Sequence, residues 1–288
     1  MSASAAEPAT LPSRERLRYT VSRLKSVPTL PKLLERVVGA LEDPEVNFKG
    51  VAELIEIDQA LTAQILRLAN SAFYQVRGVV GSVSQALVTL GATVTRSVVL
   101  STTVFDMRTV GLRGFWEHSL GCAVAAGAIA KETGIASPEE VAAAGLLHDL
   151  GKVVLYKELP DVFIALVEEA RARGASFREV ERERLGADHC EIASWLVERW
   201  RFPPALAEPI VFHHTPGAAS VACAETAIVH VADTLVQALG HGSGGTARLG
   251  AIDPSAWVRL GLTPPRLDRV LDRFDADLDR ALNYALYE

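Results

Sequence analysis

The sequence predicts an all-α protein, on three observations. Hydrophobic residues make up 49% of the 288-residue chain and aromatic residues only 6%, so the apolar content is small and aliphatic, the mix that packs helix on helix. Apolar positions recur at three- and four-residue spacing along most of the chain. Helix starts are also marked: Ser137-Pro138-Glu139-Glu140, and Ser176 with Glu179, both have the capping-box layout.

In chain order, residues 1–13 are rich in Ala, Ser and Pro and read as a disordered lead-in, without the basic start and apolar run of a secretory signal. Arg14 to Ser26 carries one apolar stripe, Leu17, Val21 and Leu24, which predicts a short amphipathic helix. Pro28 and Pro31 bracket a turn, and Pro31 opens a helix on which Leu33, Leu34, Val37, Val38 and Leu41 keep helical spacing until Asp43-Pro44. Val51, Leu54, Ile55, Leu61, Ile65 and Leu68 predict another core helix, interrupted at Asn70-Ser71. Ser82 to Val104 is rich in Val, Thr and Ser, and periodicity leaves helix and strand open there.

Gly111 and Gly114 mark a seam, followed by a small-residue helix from Phe115 to Lys131 that carries His118 and stops at Gly134. The helix that starts at Ser137 runs into His148. Pro160 to Arg173 is amphipathic and ends at Gly174; Ser176 opens the next helix; Asp188 caps the one beginning at His189, where Trp195, like Trp200 beyond it, reads as a packing residue. Pro203-Pro204 starts a helix that Pro209 must kink before His213. Residues 222–239 form a long apolar helix with His230 and Asp233 three apart on one side. Gly240 to Thr246, GHGSGGT, reads as a flexible linker, and Asp253-Pro254 and Thr263-Pro264 open two last helices.

A formal charge of −6 repels phosphate backbones and argues against general nucleic-acid binding. Cys122, Cys190 and Cys223 share no CxxC spacing and sit in apolar helical stretches, as reduced core thiols of a cytoplasmic protein would. No apolar run is long enough to span a bilayer.

The stretch that carries chemistry is GLLHDLGK, Gly145 to Lys152. An imidazole and a carboxylate on adjacent residues at the end of an apolar helix can straddle one metal ion or two, with Asp149 free to bridge. Lys152, four residues after His148, would add a fixed positive charge where a phosphate oxygen sits. His-Asp dipeptides are common by chance, and a lone buried histidine is usually a hydrogen-bonded core residue, so the site needs partners. His118, His189, His213, His214 and Asp233 supply them, whereas His230 reads as core and His241 as linker.

His118, His148-Asp149 and Asp233 resemble, in order, the H…HD…D pattern of the HD superfamily of metal-dependent phosphohydrolases. VPTLPKL at 27–33, IDQAL at 57–61, QILRLANSAFY at 64–74, SVSQALVTLG at 82–91 and HCEIASWLVERWRFP at 189–203 resemble the HDOD family, the HD-related output domain of bacterial signalling proteins. The likeness extends over roughly residues 20–240. It implies an HD-like multi-helix core with an N-terminal helical subdomain, divided as 14–112 and 113–240 with C-terminal helices at 247–288, and it implies two helices in the ambiguous stretch. Asn70 and Ser71 read as capping and turning the chain, Arg67 as able to receive a partner's acidic group, and Asp58 as a buried hydrogen-bond anchor or part of a partner surface.

Two functions follow. The first is a regulatory module acting by binding a signalling protein or a nucleotide-like small ligand, as a monomer or homodimer, with a retained HD-type metal site. The second is a metal-dependent phosphohydrolase. In it His118, His148, Asp149 and Asp233 would hold one ion, and Asp149 would bridge to a second at His189, His213 and His214. Asp149 and Lys152 would act on the substrate, and the donor set suits Mn, Fe or Zn. His189, His213 and His214 resemble the additional ligands of the two-metal HD-GYP branch, which hydrolyses cyclic-di-GMP, but TPGAA follows His214 in place of that branch's GYP signature.

Overall fold

A computed structural model of the protein describes residues 11–23, 32–41, 43, 45–56, 61, 62, 65, 66, 69, 80–102, 112–199 and 202–286. The expectations for the first ten residues, Leu24, Pro28, Pro31, Pro44, Asp58, Arg67, Asn70, Ser71, Gly111 and Trp200 lie outside the described residues. Among the described residues every regular element is helical.

The first helices are α1 (Arg14–Arg23), α2 (Lys32–Leu41) and α3 (Phe48–Ile55). They bury the positions that periodicity selects: Leu17, Val21, Val37, Leu41, Val51 and Ile55. Asn47 caps α3 by accepting from the backbone N–H of Lys49 and Gly50, and α3 ends at Ile55; residues 61, 62, 65, 66 and 69 are helical again, with Leu61 and Ile65 buried. The ambiguous stretch is helix α4 (Val83–Thr102), broken at Gly91, whose φ of 74° and ψ of 166° end one helix and start another. Here burial of Val83, Leu87, Leu90 and Val94 on one face overrides β propensity.

The second part contains α5 (Phe115–Thr133), α6 (Pro138–Leu147), α7 (Leu150–Glu158), α8 (Pro160–Arg173), α9 (Phe177–Leu185), α10 (His189–Arg199), α11 (Pro204–Phe212), α12 (Cys223–Ala238), α13 (Pro254–Leu260) and α14 (Pro264–Leu286). Ser137 caps α6 through Glu140 N–H, the Ser176–Glu179 capping box opens α9 with both bonds made, and Gly134 and Gly174 close α5 and α8 in left-handed conformation. Helix α5 lies at the centre, packed against α6, α12 and α14, while α7 packs on α10 and α11 on α6, α10 and α12. Small residues permit this: Cys122 to Ala130 is buried without interruption around α5.

One apolar core runs from Leu17 to Val229 and takes in residues on both sides of position 112. A second joins α5, α12, α13 and α14 around Ile129, Val231 and Phe274. No helix among the described residues is long and apolar enough to cross a membrane.

Two glycines set the spacing of the helices around the His148–Asp149 corner. A Cβ at Gly145 would lie 2.8 Å from the Cys122 carbonyl oxygen, and one at Gly151 would run into the His189 carbonyl. Helices α6 and α7 therefore approach α5 and α10 backbone to backbone. Gly151→Ala is expected to lower the unfolding free energy by about 2–3 kcal/mol, the usual cost of overpacking without room to relax. Gly39→Ala, with nothing within 4 Å of its Cβ, should be neutral or stabilising. Denaturant melts of both variants check this, and equal midpoints would contradict the close approach.

Candidate metal centre

The chain brings all seven predicted ligand residues and Lys152 to one place. Helix α5 supplies His118, the corner between α6 and α7 supplies His148 and Asp149, and α7 supplies Lys152. His189 is the first residue of α10, His213 and His214 follow α11, in which Pro209 is accommodated, and Asp233 lies on α12. Six of these seven candidates are nearly inaccessible, with His118, His148, Asp149 and His189 at 1%, His213 at 0% and Asp233 at 4%; His214 is half-buried.

Asp149 sits between two groups of imidazoles. Its Oδ2 lies 3.3 Å from His148 Nε2 and 3.6 Å from His118 Nε2, and Asp233 Oδ1 stands 3.3 Å from His118 and 3.7 Å from His148. Its Oδ1 faces the other way, 3.5 Å from His189 Nε2 and 3.8 Å from His213 Nε2. His189 Nε2 is in turn 3.1 Å from His214 Nε2. Lys152 Nζ donates to Asp149 Oδ2 at 2.7 Å. It is thus a buried, ion-paired lysine beside the cluster.

The ring orientations suit metal ligands. His148 Nδ1 bonds the Gly145 carbonyl at 2.7 Å and His213 Nδ1 the Ile210 carbonyl at 3.0 Å, while His189 Nδ1 bonds Glu181 Oε2 at 2.5 Å. A carbonyl can only accept, so Nδ1 of His148 and of His213 carries the proton and the Nε2 lone pair faces the cluster. Asp149 Oδ1 is buried with no hydrogen-bond partner. A charged oxygen left unpaired in the interior is costly, and a cation between it and the imidazoles would satisfy it, so this donor set fits a divalent metal.

Electrostatics agree. Burial opposes ionisation of Asp149, but His148 and Lys152 outweigh it and hold the carboxyl well below the usual carboxylate range; for Asp233, His118 and His148 do the same. Burial lowers His148, yet Asp149 and Asp233 leave it above its ordinary value. Against the same burial, Glu181 carries His189 well above. His213 and His214 are pushed well below by burial and by neighbouring imidazoles, which keeps both rings neutral.

Three features escaped sequence reasoning. Glu181 looks like one more charge in the run REVERERL, but it falls on the stripe Phe177, Val180, Glu181, Leu185 that α9 buries; that register is the signal that could have found it. Cys122 and Cys190 are buried as expected, but against the cluster: Cys122 Sγ lies 3.7 Å from His118 Nε2, and Cys190 Sγ 3.9 Å from both ring nitrogens of His213. The GHGSGGT stretch is no free linker. Gly244 and Gly245 are buried, and the Gly244 carbonyl accepts from Lys152 Nζ at 2.8 Å. His230 is structural, bonding the His213 carbonyl at 2.6 Å and accepting from Asp253 N–H at 2.8 Å, and the His241 ring rests edge-on to Phe274.

Asp188 positions His189 by capping α10: Oδ1 accepts from Glu191 N–H at 2.9 Å and Oδ2 from Arg178 at 2.7 Å and Arg182 at 2.8 Å. Burial opposes its charge, but His189 and Arg178 hold its carboxyl below the usual range. Its stabilisation is therefore complete above an unfolded pKa of about 3.9 and fades as pH falls through the lower folded value. Asp188→Asn should cost about 1–2 kcal/mol at neutral pH, with the gap to the parent narrowing only below about pH 4, as measured by denaturant melts across pH. Glu181→Gln should bring the His189 titration, followed by imidazole NMR, down toward its ordinary value; an unmoved titration would mean that Glu181 does not set the state of that ring.

Comparison with known proteins places these residues in context. The HDOD domain family matches residues 27–216. An uncharacterized protein of Treponema pallidum (strain Nichols) is 28% identical over 196 residues, which are 67% of this chain but only 38% of that protein. The crystal structure of an HDOD domain protein of unknown function from Geobacter sulfurreducens is 28% identical, covers 92% of this chain and 96% of its own, and superposes with a TM-score of 0.67. A candidate phosphohydrolase of Shewanella amazonensis SB2B is 25% identical over 93% of this chain and 97% of its own, with a TM-score of 0.66. The matched stretch is more than half of the chain, takes in His118, His148, Asp149, His189, His213 and His214, and folds as helices wherever it is described with regular structure, and the chain belongs to the HDOD domain family.

Proposed function

We propose that this chain is a signalling module organised around a dinuclear His/Asp metal centre that takes a phosphate-bearing, nucleotide-like small ligand. One observation carries the reading: the two oxygens of a single buried carboxylate, Asp149, face separate groups of imidazoles. His118, His148, Asp149 and Asp233 would hold one ion, and Asp149, His189, His213 and His214 the other. Mixed nitrogen and oxygen donors suit Mn, Fe or Zn. When bound, the ions supply Lewis acidity and positive charge toward a phosphoryl oxygen.

The chain's own residues do the rest. Lys152 adds an ammonium beside the bridging carboxylate. Glu181 and the carbonyls of Gly145 and Ile210 keep three imidazoles aimed inward. The side chains come from α5, the α6–α7 corner, α10, the end of α11 and α12, so occupancy favours one arrangement of all five. A ligand acts on such a protein only through a difference in affinity between arrangements, and a centre shared by these elements provides one. A cytoplasmic protein partner, or a second copy, would read that arrangement.

Hydrolysis of a phosphoester is the second reading, favoured by the complete ligand set with Lys152 against Asp149. The TPGAA that follows His214 argues against cyclic-di-GMP as the substrate.

Metal analysis of purified protein is expected to find a pair of ions per chain, lost in His148→Ala; a chain that takes up no metal sinks both readings. Turnover of a generic phosphodiester or of a nucleotide panel, abolished in the same variant, would establish hydrolysis, whereas metal and nucleotide binding without turnover leaves the signalling reading. Carboxylates outweigh burial and hold His148 and His189 above their ordinary values, which favours proton over metal on these rings as pH falls. Affinity should weaken as pH falls, and calorimetry in two buffers should register proton release on binding.

A further inference from the structure

The segment from Gly240 to Thr246 lies across the His118 half of the centre as a strap. It leaves α12 with His241 N–H on the Val236 carbonyl at 3.1 Å and ends with Ala247 N–H on the Ala175 carbonyl at 3.2 Å, next to an Arg248–Glu179 ion pair. In its middle, Ser243 N–H bonds the Gly114 carbonyl at 2.9 Å, the same carbonyl that accepts from His118 N–H. Gly240, Gly242 and Gly245 have φ of 72°, 70° and 87°, in the left-handed region that side chains avoid. A Cβ on Gly242 would run into the backbone of Gly114 and His118, and one on Gly244 would lie 3.1 Å from His118 Nε2 and 3.3 Å from Lys152 Nζ. Only glycine lets the main chain lie this close to a ligand histidine.

Partial exposure in the cluster is confined to His214: His118, His148 and His189 are 1% exposed, His213 0% and Lys152 5%. The strap also occupies a chemically defined position. Lys152 Nζ has three protons to donate; one goes to Asp149 and one to the Gly244 carbonyl. A neutral carbonyl thus holds the direction in which the ammonium would meet an anion. An oxyanion there would add an ion pair to the hydrogen bond, an attraction to the ammonium that the neutral carbonyl lacks.

We propose that the strap is a gate on the centre, and that the Gly244 carbonyl is a stand-in for a phosphate oxygen on Lys152, released when a phosphate-bearing ligand enters. The strap lies beyond residues 27–216, the stretch that the family matches. The identity of the displacing oxygen rests on the phosphate-handling reading above. The gate itself does not.

The test compares the intact chain with Gly242→Ala and Ser243→Pro; the first forces a side chain into the contact with Gly114, and the second removes the N–H that bonds it. Two readouts are taken, with the protein metal-free and after loading with Mn(II): amide hydrogen exchange across 240–246, and carbethoxylation of individual histidines by diethyl pyrocarbonate, mapped by mass spectrometry. In the parent, His214 should react and His118 should be protected. In either variant, strap exchange should rise by about tenfold or more and His118 should become reactive, with thermal transitions still cooperative. A loosened strap with His118 as protected as before overturns the gate, as does a parent in which both histidines react alike. Should both variants unfold, the parent decides: inorganic phosphate should accelerate exchange in the strap, and no response overturns the assignment to an oxyanion. Neither readout needs metal, so a chain that binds none defeats the metal-centre reading and leaves the gate to be judged on protection alone.

Discussion

The buried charge of Asp149 is the constraint from which the rest of the molecule follows. A carboxylate taken out of water is costly unless opposite charge and hydrogen bonds surround it, and here only part of that is met by the chain. Lys152 satisfies Oδ2, while Oδ1 is left among imidazoles without a bond. To crowd so many polar groups around one carboxylate, helices must meet closer than side chains permit. Gly145 against Cys122 and Gly151 against His189 provide those contacts, so the electrostatics of the centre and the packing of α5, α6, α7 and α10 are a single problem.

Around the imidazoles lies a layer that fixes their state. Two backbone carbonyls and one buried carboxyl take the Nδ1 atoms, Gln237 bonds Asp233 Oδ1 at 2.6 Å, and His230 ties the His213 carbonyl to the start of α13. Orientation of this kind matters as much as ligand identity, because a ring turned over or protonated on the wrong nitrogen presents no lone pair. Farther out, Glu208 on α11 accepts the N–H groups of Ser220, Val221 and Ala222, which holds the turn after His214 to the base of α12. The His213–His214 corner is thereby braced from both sides.

The two halves of the centre face different surroundings. His214 opens in part to solvent, whereas the buried His118–Lys152 side is roofed by glycine backbone. Such asymmetry suits a site that responds to a ligand, since the closed form is held by a few exchangeable backbone bonds and one ammonium contact. The rigid frame of α5 and α12 beneath the strap is packed through small side chains and has little freedom to absorb the change.

Much of this was legible in the sequence. Capping at Ser137, Ser176 and Asp188, glycine stops at Gly134 and Gly174, and apolar periodicity are local signals, because a helix end is decided by the few residues that carry it. The seven residues that converge on the cluster were legible as residue types in order. Three things were decided only by the tertiary structure: which oxygen of Asp149 meets which imidazole, that a charged residue of α9 belongs to the interior, and that GHGSGGT is a packed roof. The last shows why. Composition reports how freely a chain can bend, and a run of glycines bends freely wherever it stands; whether it stays mobile depends on what lies opposite, and here the opposing surface is the backbone of Gly114 and His118, more than a hundred residues earlier in the chain.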